Sequence, residues 1–533
     1  MKSINLLLIG GSVLTVLVAV PMAAAQWPGS EGLSIADRPG EQINAKIRAT
    51  ADGGCYISWL DSAAGGYDVY LQRLDAGGYE MWAHNGILIA DRSYSWVQDY
   101  GLDVDTAGNA LLAFRDDRFG GSARVTVVKV APDGSMPWGA NGVQVSGAAI
   151  DATSPAIAAT TDGGAIVSWG AEPGIQLQKL SAAGAPQWLG GVTITPPSGH
   201  FFNADLRTAD DGGAILSIVR QGPEYWSARE LWAQKFSASG TTLWGTDPVI
   251  VFNDGSLQYG YQPDFIPDGS GGGVFMWYET SPLQCYAQHV LADGTEQFGD
   301  NGAEVSTASS RGRVNPCVAF KPDTAETFVF WLEVNAATQS HIGVYGQKLD
   351  EGGGRQWTVQ GIEIYPCTTE DIGSMATLQC GEGALAFWMG SQGYAQERLY
   401  AARLDTNGDF VWEPSILTIS DVPSEKWRLV ADSGPDGRAL LAWTDDRSGN
   451  RDIYAQMVCP DGTIGECGVT TGDVNCDGLI NAFDIDPFVL ALTDAAAYEA
   501  AYPDCDISRA DINGDGLINA FDIDPFVQLL IGR

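Results

Sequence analysis

One phrase recurs eight times along this chain. Short apolar runs end in an aromatic residue: "CYISW" at Trp59, "LLAF" at Phe114, "AIVSW" at Trp169, "GVFMW" at Trp277, "FVFW" at Trp331, "LAFW" at Trp388 and "LLAW" at Trp443. One further run, "AILSI", ends in Ile218 instead. Successive runs lie 49 to 59 residues apart. A period of this length implies a repeat architecture, in which one supersecondary unit is copied and neighbouring copies bury each other's faces.

Each unit has the same grammar. A strand-like run leads into a Gly/Asp turn such as "TADGG", "TTDGG" or "SGPDG", and the aromatic-ended run follows. After a polar loop such as "LDSAAGG" or "TDDRSGN" comes an alternating run: "YDVYLQRL", "GVYGQKL" or "DIYAQMV". A second Gly turn leads to a last run that opens on an aromatic: Trp82, Trp138, Trp188, Trp244, Phe298, Trp357 or Trp412. Period-two alternation between Gly-rich turns specifies strands, and four strands per unit specify the blades of a β-propeller. Only seven last runs follow the eight aromatic-ended ones. The missing one stands at the other end of the chain, where "WPGSEGLSIADRPG" from Trp27 matches "WAHNGILIADRSYS" from Trp82. The expected fold is mainly β, an eight-bladed propeller whose N-terminal strand completes the last blade. Closure removes the sheet edges that the alternative, an open β-solenoid, would leave exposed.

The recurring tryptophans, at one position per unit, are expected to pack between blades. Tyr94, Trp96, Tyr225, Trp226, Tyr259 and Tyr261 fall on linking segments, where an aromatic is available to stack on a sugar. The phrase "LDTNGDFVW", ending at Trp412, resembles the tryptophan-docking repeat of quinoprotein dehydrogenases, also eight-bladed propellers. It differs by one residue between Asp and Gly, and the chain has no adjacent cysteine pair, so the resemblance implies shared blade packing rather than a quinone site. His84, His200, His289 and His341 lie in different units without metal-ligand spacing, and neither G-x-S-x-G nor H-E-x-x-H occurs. "RDDR" at 115–118 and "DDR" at 445–447 occupy one loop position in two units, which favours loops held by internal ion pairs over a catalytic pair. No catalytic residue is assigned.

The C-terminal segment follows a different rule. "DGLINAFDIDPFV" at Asp477–Val489 returns unchanged at Asp515–Val527. With their left flanks the copies read "DVNCDGLINAFD" and "DINGDGLINAFD". Oxygen side chains fall at positions one, three, five, nine and twelve: Asp473, Asn475, Asp477, Asn481 and Asp484, then Asp511, Asn513, Asp515, Asn519 and Asp522. Position seven, Leu479 or Leu517, offers a backbone carbonyl, and Gly478 or Gly516 makes the sharp turn at position six. This is the layout of a calcium loop, because a hard cation takes about six to eight oxygen ligands and a tight loop turns alternate side chains inward. Two Ca²⁺ ions are expected; the alternative is a pair of Asx-rich turns without an ion. Ile480 and Ile518, at position eight, point away from the ion and are placed to pair the loops. No entering helix precedes Asp473, where "GECGVTTG" reads as linker. After each loop an exiting helix is expected to present Ile485, Phe488, Val489 and Leu492, or Ile523, Phe526, Val527 and Leu530, on one face. Pro487 and Pro525 are tolerable only in a first turn, so these helices should start near Asp484 and Asp522.

Two tandem loop-helix calcium motifs at the C-terminus resemble a type I dockerin over Asp473–Arg533. The resemblance implies a small α-helical calcium domain that docks a cohesin-like or other surface protein. In cellulosomal dockerins the partner-reading pair at positions ten and eleven is often small and hydroxylated; here it is Ala482–Phe483 and Ala520–Phe521. With Phe488 and Phe526 these are the partner-binding candidates. Phe483, Phe488, Phe521 and Phe526 read equally well as the small core between the two halves.

At the N-terminus, Lys2 precedes an apolar run, Pro21 and small residues at Ala23 and Ala25, the layout of a secretory signal peptide over residues 1–25. The alternative, a membrane anchor over Ile4–Val20, lacks a cationic stop. Export permits disulfides, and Cys459 with Cys467 and Cys476 with Cys505 are the candidate pairs among nine cysteines. Cys285 with Cys317 and Cys367 with Cys380 are further candidates, and Cys55 reads as a buried small apolar residue. A net charge of −37 repels nucleic acid. The expected organisation is a propeller over 26–464, a linker over 465–472 and the calcium domain over 473–533. The expected function is that of a secreted or cell-surface protein without a membrane span in its mature chain: the tail docks to a scaffold or surface partner and the propeller binds a glycan or protein ligand. Two alternatives stay open. One is a dockerin-bearing polysaccharide-degrading enzyme, a hydrolase or lyase with its site in the propeller funnel; the other is a tail that only stabilises the chain.

Overall fold

The computed structural model of the chain describes residues 27–147, 151–209, 211–391, 393, 395–465, 467, 471–476, 480–502, 505, 507–513 and 517–530. The expected signal peptide over residues 1–25 lies outside them, and no described helix is long and apolar enough to cross a membrane. Eight antiparallel four-stranded sheets follow one another along the chain. Their first strands are Gln42–Ala49, Gly101–Val104, Thr153–Ala159, His200–Thr208, Phe265–Pro267, Arg311–Lys321, Asp371–Cys380 and Lys426–Ser433. Each first strand touches those of both neighbours, and the eighth touches the first, so they form a closed inner ring. The eighth sheet is finished by Leu33–Ala36, which pairs antiparallel with Asp452–Val458. The protein is an eight-bladed propeller, and the strand displaced to the N-terminus closes it.

The repeated aromatics account for blade stacking. The run-ending residues Trp59, Trp277, Trp331, Trp388 and Trp443 are fully buried. Each faces a tyrosine on the third strand of its own blade: Tyr70, Tyr286, Tyr345, Tyr400 and Tyr454. Blade four, where the run ends in Ile218, has Trp232 at the facing position, so the large ring has crossed to the neighbouring strand. The last-run tryptophans reach the next blade. The indole N–H of Trp138 donates to the Ala182 carbonyl at 2.9 Å, that of Trp188 to Ala238 at 3.1 Å and that of Trp244 to Ala292 at 3.0 Å. Trp357, Trp412 and the N-terminal Trp27 make the same bond to Thr406, Pro460 and Ala76. The glycine of each receiving turn lies flat under the ring. Gly294, at φ +89°, would bring a Cβ to 2.9 Å from the Trp244 ring, so glycine is required there by conformation and by space.

The tail contains α1 (Ile485–Thr493), α2 (Ala495–Ala501) and α3 (Ile523–Leu530), with single 3₁₀ turns at Ala482–Asp484, Ile507–Ala510 and Ala520–Asp522. The exiting helices begin where the prolines require. The sequence reading missed α2, an alanine-rich helix whose first turn is capped by Asp494, which accepts from the Ala497 N–H at 3.1 Å. The expected helix face is also rotated. Phe488 and Ala491 point inward, whereas Ile485 and Val489 are 42% and 49% exposed, and Ile523 and Val527 repeat this in α3.

Two disulfides join Cys459 to Cys467 and Cys476 to Cys505. The other two proposed pairs are not formed, and Cys55 is buried and unpaired. Cys285 sits on the third strand of blade five, whereas the Cys317 thiol on the inner strand of blade six points at the Phe330 carbonyl. Cys367 lies on an outer strand against the Glu333 carbonyl, and Cys380 ends an inner strand against Gly437 of the next blade. Radial separation within the propeller keeps the last two apart.

Candidate functional site

Strand register turns the repeat into rings of side chains around the central channel. The residue before each run-ending position is Ser58, Ala113, Ser168, Ser217, Phe330, Phe387 or Ala442. Opposite these on the inner strands stand Lys46, Gly101, Ala156, Asp205, Cys317, Ala376 and Val430. Pairing of Phe265 with Phe275 puts Asp264 at the same level in blade five. All eight line a channel cavity of about 290 Å³. Side chains alternate along a strand, so the next ring lies two residues on and holds Arg48, Asp103, Arg207 and Asp432 among apolar residues. Charge is confined to some blades, and blades three, six and seven present neither Asp nor Lys nor Arg at these two levels.

Most of these charges satisfy one another. Lys46 Nζ lies 3.0 Å from Asp99, Arg48 Nε lies 3.6 Å from Asp103, and Arg207 Nε lies 2.7 Å from Asp205. Asp103 also accepts the Ala159 N–H at 2.7 Å and Asp432 the Ala49 N–H at 2.9 Å, latching neighbouring inner strands together. Asp264 has no hydrogen-bond or ion-pair partner among the described residues. Its side chain is open to the channel, yet desolvation by the surrounding channel wall pushes its carboxyl up to about 6; the Asp205 carboxylate adds to the rise, and Arg207 and Lys46 oppose it. Burial also works against ionisation of Asp99, but Lys46 overcomes it and holds that carboxyl below its ordinary value. The sequence reading missed this network. Its trace was two near-copies, "NAKIRATADGG" and "NADLRTADDGG", whose charges at alternate strand positions do not fit an ordinary buried strand.

One face of the propeller collects the exposed aromatics. Strands alternate in direction, so the loop between second and third strands and the link from an outer strand to the next inner strand emerge on one face, where the inner strands begin. Trp96 and Tyr259 lie on such links and Tyr225 and Trp226 on such a loop, all strongly exposed. Tyr94 and Tyr261 do not join them. Tyr94 is buried against the edge of Trp96, and Tyr261 packs on Tyr278 with ring centroids 4.7 Å apart. The "RDDR" and "DDR" loops are held by internal pairs, Arg118 to Asp116 at 2.8 Å and Arg447 to Asp445 at 2.5 Å. His289 pairs with Asp268 at 2.9 Å, His200 lies 3.1 Å from Glu172, and His84 lies between Glu80 and Asp37. No two histidines meet among the described residues.

In the tail, each loop closes on its twelfth residue. Asp484 accepts the Val474 and Asn475 N–H groups on one oxygen, at 2.8 and 3.1 Å, and the Asn481 N–H on the other at 2.9 Å. Asp522 repeats the arrangement with Ile512, Asn513 and Asn519. Both carboxylates are fully buried. Asn481 and Asn519 accept from the Phe483 and Phe521 N–H groups and cap the 3₁₀ turns. Asp473 is buried and pairs with Arg509 at 3.0 Å, and Asp511 begins the second loop directly after the turn that carries Arg509. Asp477, Leu479 and Asp515 lie outside the described residues, and Leu517 is exposed. Among the described residues no three His, Cys, Asp or Glu side chains are grouped to hold a metal; the described donors of each loop are two carboxylates and two Asn amides.

The partner-binding candidates divide. Ala482, Phe483, Ala520 and Phe521 are exposed, the two phenylalanines at 77% and 78%. Phe488 and Phe526 are not surface anchors. They are 2% and 3% exposed and stack on each other with centroids 4.0 Å apart, forming the core where the two halves meet. Tyr498 of α2 closes that core from the side, its hydroxyl donating to the Val474 carbonyl at 2.8 Å.

No family model matches the chain, and no curated protein matches it. Among solved structures it is similar to a prolyl endopeptidase at 11% identity and TM-score 0.40, covering 79% of this chain and 57% of that one. It is similar to the polysaccharide lyase Uly1 at 11% identity and TM-score 0.40, covering 83% of this chain and 96% of that one. A europium-containing methanol dehydrogenase gives 11% identity and TM-score 0.43, with 84% of this chain and 87% of that one covered. Likeness of this degree carries no inference about what the chain binds or does.

Proposed function

We propose that this is a secreted or cell-surface binding protein, fastened by a calcium-dependent dockerin-like tail and presenting a propeller that binds a glycan or protein ligand. The observation that carries the reading is the matching role of Asp484 and Asp522 in their separate loops. Two buried carboxylates, 38 residues apart in the repeat, draw the two ends of their loops together through matching sets of three N–H groups. In this reading Asp473, Asn475, Asn481 and Asp484 would hold one ion, and Asp511, Asn513, Asn519 and Asp522 the other. An all-oxygen donor set fits calcium, with Asp477, Asp515 and the carbonyls of Leu479 and Leu517 completing it. When bound, the ion offsets the carboxylate charge and fixes each loop. Phe483 and Phe521, held outward by the Asn-capped turns, are then the groups offered to a cohesin-like or other surface protein. On the propeller, Trp96, Tyr225, Trp226 and Tyr259 offer exposed rings on the face where the inner strands begin, the surface type that stacks on sugars and anchors protein partners.

The test is capture of a surface partner by the whole exported protein with calcium and with chelator, using the Phe483→Ser/Phe521→Ser variant as control. Capture that needs calcium and both rings supports docking. Capture unchanged by chelator removes the metal from the mechanism, and a tail that captures nothing leaves only a stabilising role. A second reading, a polysaccharide-degrading enzyme, has one observation in its favour: an unpartnered Asp264 beside Asp205 with a carboxyl pushed toward neutral pH. Release of new reducing ends or unsaturated uronates, lost in Asp264→Asn, would establish it; intact polysaccharide after prolonged incubation would dismiss it.

A further inference from the structure

The inner strands carry a bulge that recurs in several blades. In four of them the residue two before the channel ring has a left-handed backbone: Asn44 at φ +61°, Ser154 at +44°, Asn315 at +51° and Arg428 at +57°. Left-handed backbone crowds the Cβ of an L-residue. Short polar residues tolerate it best, because they can hydrogen-bond locally. Three blades make that choice, and blade eight departs from it. Where a local rule is broken without a packing gain, the break points to function.

Arg428 gains no hydrogen bond or ion pair among the described residues in return, although it lies within electrostatic reach of the Asp99 carboxylate, which Lys46 already pairs. Its side chain is exposed and has no hydrogen-bond or ion-pair partner among the described residues. In a chain of net charge −37, an unpaired guanidinium on an inner strand is conspicuous. It lines a cavity of about 210 Å³ at the seam of blades eight and one, shared with Asn44, Val97, Trp427, Thr444 and Arg451. This is the face where the inner strands begin, and Val97 adjoins the exposed Trp96. The Arg451 guanidinium lies over the Trp427 ring at 4.5 Å and is 3.4 Å from Glu41. The cavity thus combines an indole, the apolar Ile43 and Val97, Thr444, an Asn44 amide that also donates to the Gln98 carbonyl, a second cation engaged by Glu41 and one cation without an ion-pair partner among the described residues.

We infer that this seam cavity is a subsite for an acidic sugar residue, whose carboxylate or sulfate ester is paired by Arg428. The inference rests on the reading of the propeller as the ligand-binding part. A planar guanidinium holds either anion through two parallel N–H donors. The indole edge and the Asn44 and Thr444 side chains suit the mixed apolar and hydroxyl surface of a pyranose better than an extended peptide. Because the whole protein repels anions at long range, local pairing decides which anion stays.

The test uses the full exported chain in calorimetric titration with four probes: an oligogalacturonate, a sulfated galactose oligosaccharide, a neutral cello-oligosaccharide and a polyglutamate peptide. One of the two acidic sugars should bind, and which of them binds identifies the anion. Arg428→Asn should weaken that binding roughly tenfold or more, the loss of a charge-assisted pair. The same variant should melt at the same temperature or higher, since asparagine suits the left-handed bulge. Arg428→Lys should fall between them. Unchanged affinity in Arg428→Asn overturns the inference, as does polyglutamate binding as tightly as the acidic sugar. Binding of the neutral sugar alone overturns it while leaving a glycan-binding propeller standing. Failure of all three sugars overturns both the inference and the glycan-binding reading.

Discussion

Phe488→Ala should separate the tail from the propeller. Phe488 is 2% exposed, stacks on Phe526 at 4.0 Å and packs with Val474, Ala491, Tyr498, Cys505 and Ala510, which together form the buried core of the tail among the described residues. Truncating a buried phenylalanine to alanine costs about 3–5 kcal/mol. A unit of roughly 60 residues holds only about 3–9 kcal/mol in total. The variant tail should therefore be largely unfolded in chelator even though the Cys476–Cys505 bridge still constrains it. Calcium at a hundredfold excess over its dissociation constant returns about 2.7 kcal/mol per site, so the ion should restore most of the helix. The spectroscopy is favourable because no tryptophan follows Trp443. Tryptophan fluorescence reports the propeller alone, while ellipticity at the helix band reports chiefly the tail. The expected result is an unchanged tryptophan melt, a lost helical transition in chelator and its recovery with calcium. If Phe488→Ala melts with the wild-type tail in chelator, the stacked core is not what holds the tail together. If calcium restores nothing and leaves the wild type unshifted, the loops are Asx turns rather than ion sites.

Asp264→Asn tests the channel through pH. The folded carboxyl is raised to about 6, above its unfolded value near 4, so the folded state binds more protons between those values. The wild type should lose stability as pH rises through that window, and the variant should not, so that at pH 7 its tryptophan melt lies higher; equal slopes in the two proteins would show that the channel wall does not desolvate Asp264. Ile35→Asp puts a carboxylate at a fully buried position in the closing strand. An unpaired buried charge should cost about 3–5 kcal/mol, and the fluorescence melt should fall with it; an unaltered melt would mean that the N-terminal strand does not close the ring.

The repeat in the sequence determined the blade count, the strand order and the closure, because each of these follows from local periodicity and from one displaced copy of a strand. It marked the two C-terminal loops as candidate ion sites, since alternate oxygens around a glycine are a local pattern. Where Phe488 and Phe526 point was beyond its reach. Helical periodicity allowed either a surface anchor or a core, and only the approach of one half to the other buries them against each other. The channel was equally hidden. Lys46, Asp205 and Asp264 lie far apart in the chain and share one ring only after eight blades have closed. Arg428 looked like any charged residue until its neighbours in the ring were seen to be asparagine and serine at the same left-handed turn. Short-range pattern writes strands, turns and loops; which side chains meet across an axis is set by ring closure, a long-range fact that no segment carries on its own.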